Sequence, residues 1–182
     1  LCNVSELVDI LEEEEITDFS KVGELFAMLN RLKPKEKKKA KDAVKKELEK
    51  RNTVEARIGE IKEKRIKFLE EEEPTKVLSA AMFVAGYSIL NDLNRNQIRK
   101  VLEMMGNIKK REELLKENEL KKEVAKVRYM LAYSAGRNKS VKPLMSALDP
   151  LLSDVKSCKD FERVYEFVQS IVAFHYFLGG GD

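Results

Sequence analysis

The sequence predicts an all-α protein, a helical bundle with one long, partly exposed helix in its N-terminal half. Apolar residues recur three or four apart almost throughout, and nothing alternates at period two for long. Helix breakers are few, with 8 Gly and 4 Pro in 182 residues, and the prolines stand where helices would begin or end.

A first short helix is expected from Ser5 to Glu15, with Leu7, Ile10 and Leu11 inward. A second starts near Asp18 or Ser20 and turns Val22, Leu25, Phe26 and Leu29 to the core. Pro34 suits a first helical turn, and from there to Pro74 only Gly59 interrupts, which predicts a helix of about 39 residues. At 1.5 Å per residue such a rod spans about 58 Å, more than a small domain is wide. Its apolar stripe (Ala40, Val44, Leu48, Val54, Ile58, Ile61, Phe68) is sparse and has a gap at Arg51. Two readings stand side by side: an amphipathic helix pairing in a coiled-coil-like seam, or a basic arm from Lys33 to Arg51 laid on nucleic acid.

Lys76 to Leu93 is apolar nearly all round and is the expected central helix. Asn94 with Gln97 makes a capping-box pattern ahead of Ile98, Val101, Leu102 and Met105, and Gly106 is expected to end or kink that helix. A further helix is expected from Leu120 to about Gly136, a short one between Pro143 and Pro150, and a last one from Phe161 to Leu178, opened by a Ser157-to-Asp160 cap and closed by three glycines. The chain thus divides into residues 1–74, acidic leader helices plus the long basic helix, and residues 75–182, a small bundle. The first part reads either as an extension or as the first half of one bundle.

Charge is strongly segregated although the net value is only +3. Residues 1–32 carry −6, residues 33–51 carry +6 and residues 95–142 carry +8. Such basic blocks favour a polyanion partner. The two cysteines, Cys2 and Cys158, show neither metal-ligand spacing nor a disulfide framework, in keeping with a reducing cytoplasm. The longest apolar run, Val77 to Leu90, falls short of the roughly 20 residues of a membrane span, and no signal-peptide pattern opens the chain.

Catalysis finds no constellation. His175 continues the stripe Val164, Val168, Ile171, Val172 and reads as a core histidine. A Cys158–His175 dyad would need atoms about 25 Å apart on one continuous helix to meet. The residue three before His175 is Val172, not the Glu of a di-metal motif, and no glycine-rich phosphate loop occurs. Neither enzyme activity nor a metal or other cofactor is expected.

The helix from Leu120 carries two stripes. Leu120, Val124, Val127 and Leu131 share one face; Lys122, Lys126, Tyr129 and Tyr133 share another, about 200° away, which Arg137 continues. Basic side chains interleaved with aromatic rings neutralise phosphates and offer stacking surfaces. The alternative places both tyrosines in the core of a sandwiched helix, with the lysines as a polar rim. Arg95 and Arg99 lie one turn apart with Lys100 adjacent, and an arginine fork matches phosphate oxygens.

Three patches share order and spacing with a known family: Asn96-Gln97-Ile98-Arg99-Lys100, Leu131-Ala132-Tyr133-Ser134-Ala135-Gly136-Arg137, and Ile171 through Phe174-His175-Tyr176-Phe177-Leu178-Gly179-Gly180. Over roughly residues 75–182 the chain resembles the small helical subunit of type III-A CRISPR effector complexes, the Csm small-subunit family. The resemblance implies a non-catalytic bundle, several copies of which line guide RNA and target RNA beside other type III-A effector subunits. It places the basic motif residues on Arg99, Lys100 and Arg137, and makes Phe174 to Phe177 structural. Together with the stripes, it gives Arg95, Arg99, Lys100, Lys122, Lys126, Arg137 and Lys139 as candidate RNA contacts, made without base preference. A helical scaffold that oligomerises through the long helix, with no nucleic-acid role, is the competing expectation.

Overall fold

A computed structural model of the protein describes residues 3–181, so Cys2 lies outside the described residues. Among those residues every regular element is helical: α1 (Val4–Glu12), α2 (Phe19–Arg31), α3 (Pro34–Lys50), α4 (Thr53–Lys64), α5 (Ile66–Glu71), α6 (Pro74–Leu90), α7 (Arg95–Lys109), α8 (Glu117–Arg137), α9 (Lys142–Ser153) and α10 (Cys158–Phe177), with two short 3-10 turns. The fold is all-α.

Local chemistry sets most boundaries. Asn3 and Asp18 cap α1 and α2 by accepting from the backbones of Glu6 and Lys21. Both expected capping boxes form, Asn94 with Gln97 and Ser157 with Asp160. Each satisfies backbone donors that a helix start leaves open. Pro34, Pro74 and Pro143 sit in first turns, where a missing N–H costs nothing. Gly106 neither ends nor kinks α7, which runs on to Lys109, and α9 continues through Pro150 to Ser153.

The single long helix does not form. The stretch from Pro34 to Pro74 breaks into α3, α4 and α5 at two residues with positive φ, Asn52 (φ 56, ψ 20) and Arg65 (φ 53, ψ −130). The first break falls at the gap in the apolar stripe beside Arg51. There the guanidinium folds back onto Asp9 (2.7 Å), Glu12 (2.9 Å) and Glu47 (3.0 Å). At the second, the Asp154 carboxylate accepts from the Ile66 backbone N–H at 3.3 Å. Breaking lets α4 lie on α9 and α5 on α10, so Val44, Leu48, Ile58, Ile61 and Phe68 are buried in the chain's own core. A straight rod would leave much of that stripe in water. The expected seam with a neighbouring copy therefore loses its apolar basis.

The core forms around α6, whose residues Ser79 to Leu90 are all buried. Helix α10 packs along it, α7 lies on α10, and α8 bridges α7 and α9. Helix α3 covers another side of α6, with α1 and α2 packed on α3. Buried side chains of α1 to α5 join those of α6 to α10 in one apolar cluster. Four of the acidic leader's eight carboxylates are paired within the chain, by Lys21 on Glu6, Arg51 on Asp9 and Glu12, and Lys76 on Glu14.

Candidate nucleic-acid interface

Helices α7 and α8 form an antiparallel hairpin joined through a 3-10 turn at Glu112–Leu114. Ile98, Val101, Met105 and Ile108 from one helix, and Leu120, Val124, Val127, Leu131 and Ala135 from the other, are buried. Between the outward ridges runs a furrow. One end, of about 350 Å³, is lined by Gln97, Lys100, Met104, Met130, Tyr133 and Arg137 among others. The other, of about 240 Å³, is lined by Met104, Arg111, Glu123, Lys126 and Met130 among others. The shared methionines make the two ends one groove, with a flexible apolar floor between basic ends.

The arrangement brings together two patches far apart in sequence. Lys100 makes no hydrogen bond or ion pair with a described residue. Across the groove, the Arg137 guanidinium donates to the Tyr133 hydroxyl at 3.2 Å and lies 5.7 Å from the centre of that ring. Tyr129 and Tyr133 are 58% and 59% exposed, which overturns the reading of both as core residues. The inward stripe of α8 is complete without them, and their face of the helix lies open to solvent. Rings held open beside a cation are what base stacking requires.

The other expected contacts are distributed. Lys122 is exposed and unpaired among the described residues, while Lys126, on the same stripe, meets Glu123 at 2.7 Å. Arg99 meets Glu103 at 3.2 Å, both side chains being about three-fifths exposed. Exposed pairs of this kind are worth about 0 to 1 kcal/mol and exchange readily for phosphate. Arg95 sits at the head of α7, its guanidinium 4.9 Å from the centre of the Tyr176 ring and its backbone N–H donating to the Gly181 carbonyl at 2.8 Å. Lys139 lies outside the groove, in a cavity of about 340 Å³ shared with Lys62, Lys142, Glu55 and Tyr87. Sequence reasoning missed Met104 and Met130. Their signal was spacing, since Met130 lies four residues after Lys126 and three before Tyr133.

His175 is fully buried, as its stripe predicts, and its Nε2 donates to the Leu93 carbonyl at 2.8 Å. Burial pushes its pKa below the ordinary value; Arg95 acts in the same direction, and the Leu93 carbonyl opposes. Of the closing segment, Phe174 packs edge-on to Phe19, whereas Tyr176 and Phe177 remain 41% and 52% exposed. Helix α10 is continuous from Cys158 to Phe177, so Cys158 stands at the end opposite His175. Among the described residues no three His, Cys, Asp or Glu side chains cluster as a metal would need. Nor is any helix there long and apolar enough to cross a membrane.

Comparison with known proteins adds two matches. A model of the family described as Csm2 Type III-A matches residues 71–181. A protein of Streptococcus thermophilus, named CRISPR system Cms protein Csm2, is 32% identical over 92 residues, which is 50% of this chain and 76% of the relative.

Proposed function

From the premise that this chain belongs to the Csm2 family of type III-A CRISPR systems, and so is a CRISPR effector subunit, we propose that it is a non-catalytic RNA-binding one. Its α7–α8 face grips the backbone of guide or target RNA. Lys100, Arg137, Lys122 and Lys126 neutralise phosphates, and Tyr129 and Tyr133 offer flat surfaces to unpaired bases. Sequence information comes from guide-to-target pairing, as in other RNA-guided effectors. The protein works in the cytoplasm, beside other effector subunits and further copies of itself along the RNA.

The observation that carries this reading is the groove shared by Lys100 and Arg137, with exposed Tyr133 on its wall. Its test is a salt titration of single-stranded RNA binding. Log K should fall with log salt at about 0.7 per phosphate neutralised, and homopolymers should bind alike. K100Q/R137Q should weaken binding to every sequence and flatten the slope by about 1.4 if each contacts one phosphate. Unchanged affinity and slope would place the RNA path elsewhere; no binding even at low salt would favour a purely structural subunit.

A further inference from the structure

Residues before 71 lie outside the family match, and within them α3 shows an unusual surface. Val44 and Leu48 anchor one side in the core, and Lys41 is tied down there, donating to the Ile89 carbonyl at 2.9 Å and to Asp92 at 2.8 Å. On the opposite side Lys35, Lys38, Lys39 and Lys46 fall at helical spacings of three, one and seven, a single stripe about 16 Å long. All four are exposed. None makes a hydrogen bond or ion pair with a described residue. Of the carboxylates on α3, Asp42 is taken by Lys45 at 2.9 Å, and Glu47 by Arg51 at 3.0 Å and Lys50 at 3.8 Å, while Glu36 beside Lys35 makes no ion pair with a described residue. Of the leader's acidic groups, Asp9 and Glu12 are engaged by Arg51 at the far end of α3, and Glu14 by Lys76 on α6.

We infer that the outward stripe of α3 is a second phosphate-binding surface, taking the sugar-phosphate backbone of single-stranded RNA outside the family-matched part of the chain. Like charges held one turn apart on a rigid helix repel one another, and a polyanion laid along them relieves that repulsion while releasing its own counterions. Lys41 ties the inner side of α3 to Asp92 in the turn that leads into α7, and the stripe faces away from that contact. This inference rests on the RNA-binding reading above.

The test uses the full chain, a labelled uridine homopolymer and two charge-matched triple variants. K35Q/K38Q/K39Q removes three stripe lysines; K67Q/K156Q/K159Q removes three exposed lysines elsewhere. The stripe variant should lose roughly tenfold in affinity, and its salt slope should drop by up to about 2, while the control keeps the wild-type slope. If the stripe variant binds as wild type while K100Q/R137Q loses affinity, the inference fails and the groove reading stands. Equal losses in both triple variants reduce the stripe to net charge and also overturn it. A wild-type chain that binds no RNA defeats both readings at once.

Discussion

The imidazole of His175 stands in the place that a side chain on Gly180 would take: a Cβ there would lie 2.0 Å from Cε1. The chain turns back at Gly179, whose φ of 75 suits glycine, so that the Gly180 N–H donates to the His175 carbonyl at 2.9 Å. Asn30 holds the turn from α2 by donating to the carbonyls of Leu178 (3.1 Å) and Gly179 (3.3 Å). The ring is thus pinned between Leu93 and the tail.

Substituting either partner should cost stability. H175A loses a buried hydrogen bond and leaves the Leu93 carbonyl unpaired, about 1 to 3 kcal/mol. G180A forces a methyl group into the ring, also about 1 to 3 kcal/mol. Denaturant midpoints check both values. RNA affinity of the folded H175A fraction should match wild type, and a loss of binding without a loss of stability would contradict the structural role.

The buried ring also predicts a pH dependence. The unfolded imidazole titrates near 6.5, and the folded one lower because burial resists its charge. Below about pH 6.5 the unfolded chain therefore binds more protons, so this contribution is complete above that value and declines as the medium acidifies. Unfolding midpoints at neutral and mildly acidic pH should differ for wild type and differ less for H175Q. Equal pH slopes in the two proteins would sink the prediction.

Arg65 holds a conformation that glycine adopts freely and other residues only under strain. R65G should raise stability by about 1 kcal/mol, read as a higher denaturant midpoint, since its side chain is exposed and makes no ion pair among the described residues. A fall instead would contradict the strain assigned to the α4–α5 junction.

Y129A/Y133A should leave the melting temperature nearly unchanged, because both rings are open to solvent. If they stack on bases, affinity for single-stranded RNA should fall by about 1 to 3 kcal/mol per stacked base. Loss of stability with intact binding would make them packing residues after all.

The helix starts were legible because they rest on local chemistry: Asn94 with Gln97 and Ser157 with Asp160 carry their own instructions. So was α6, apolar on every side. The break at Asn52 was not, since residues 35–73 contain no proline and their lone glycine, Gly59, lies within α4. What divides the rod is tertiary: α4 lies on α9, some ninety residues further on. Asparagine at a gap in the stripe was the available clue, as it tolerates the left-handed region. The exposure of Tyr133 was also illegible, because a tyrosine on a polar face fits a covered or a bare helix equally well. Only the absence of an overlying element decides it.

The packing of α10 along α6 has a consequence for biogenesis. The central helix is complete by residue 90, yet its principal cover is supplied only when translation has passed residue 178. Until then a nascent chain holding α1 to α6 presents the apolar flank of α6 to water, and exposed surface of that kind invites aggregation or chaperone capture. Closure is thus a late, long-range event, and a ribosome stalled before α10 would carry an open half-bundle.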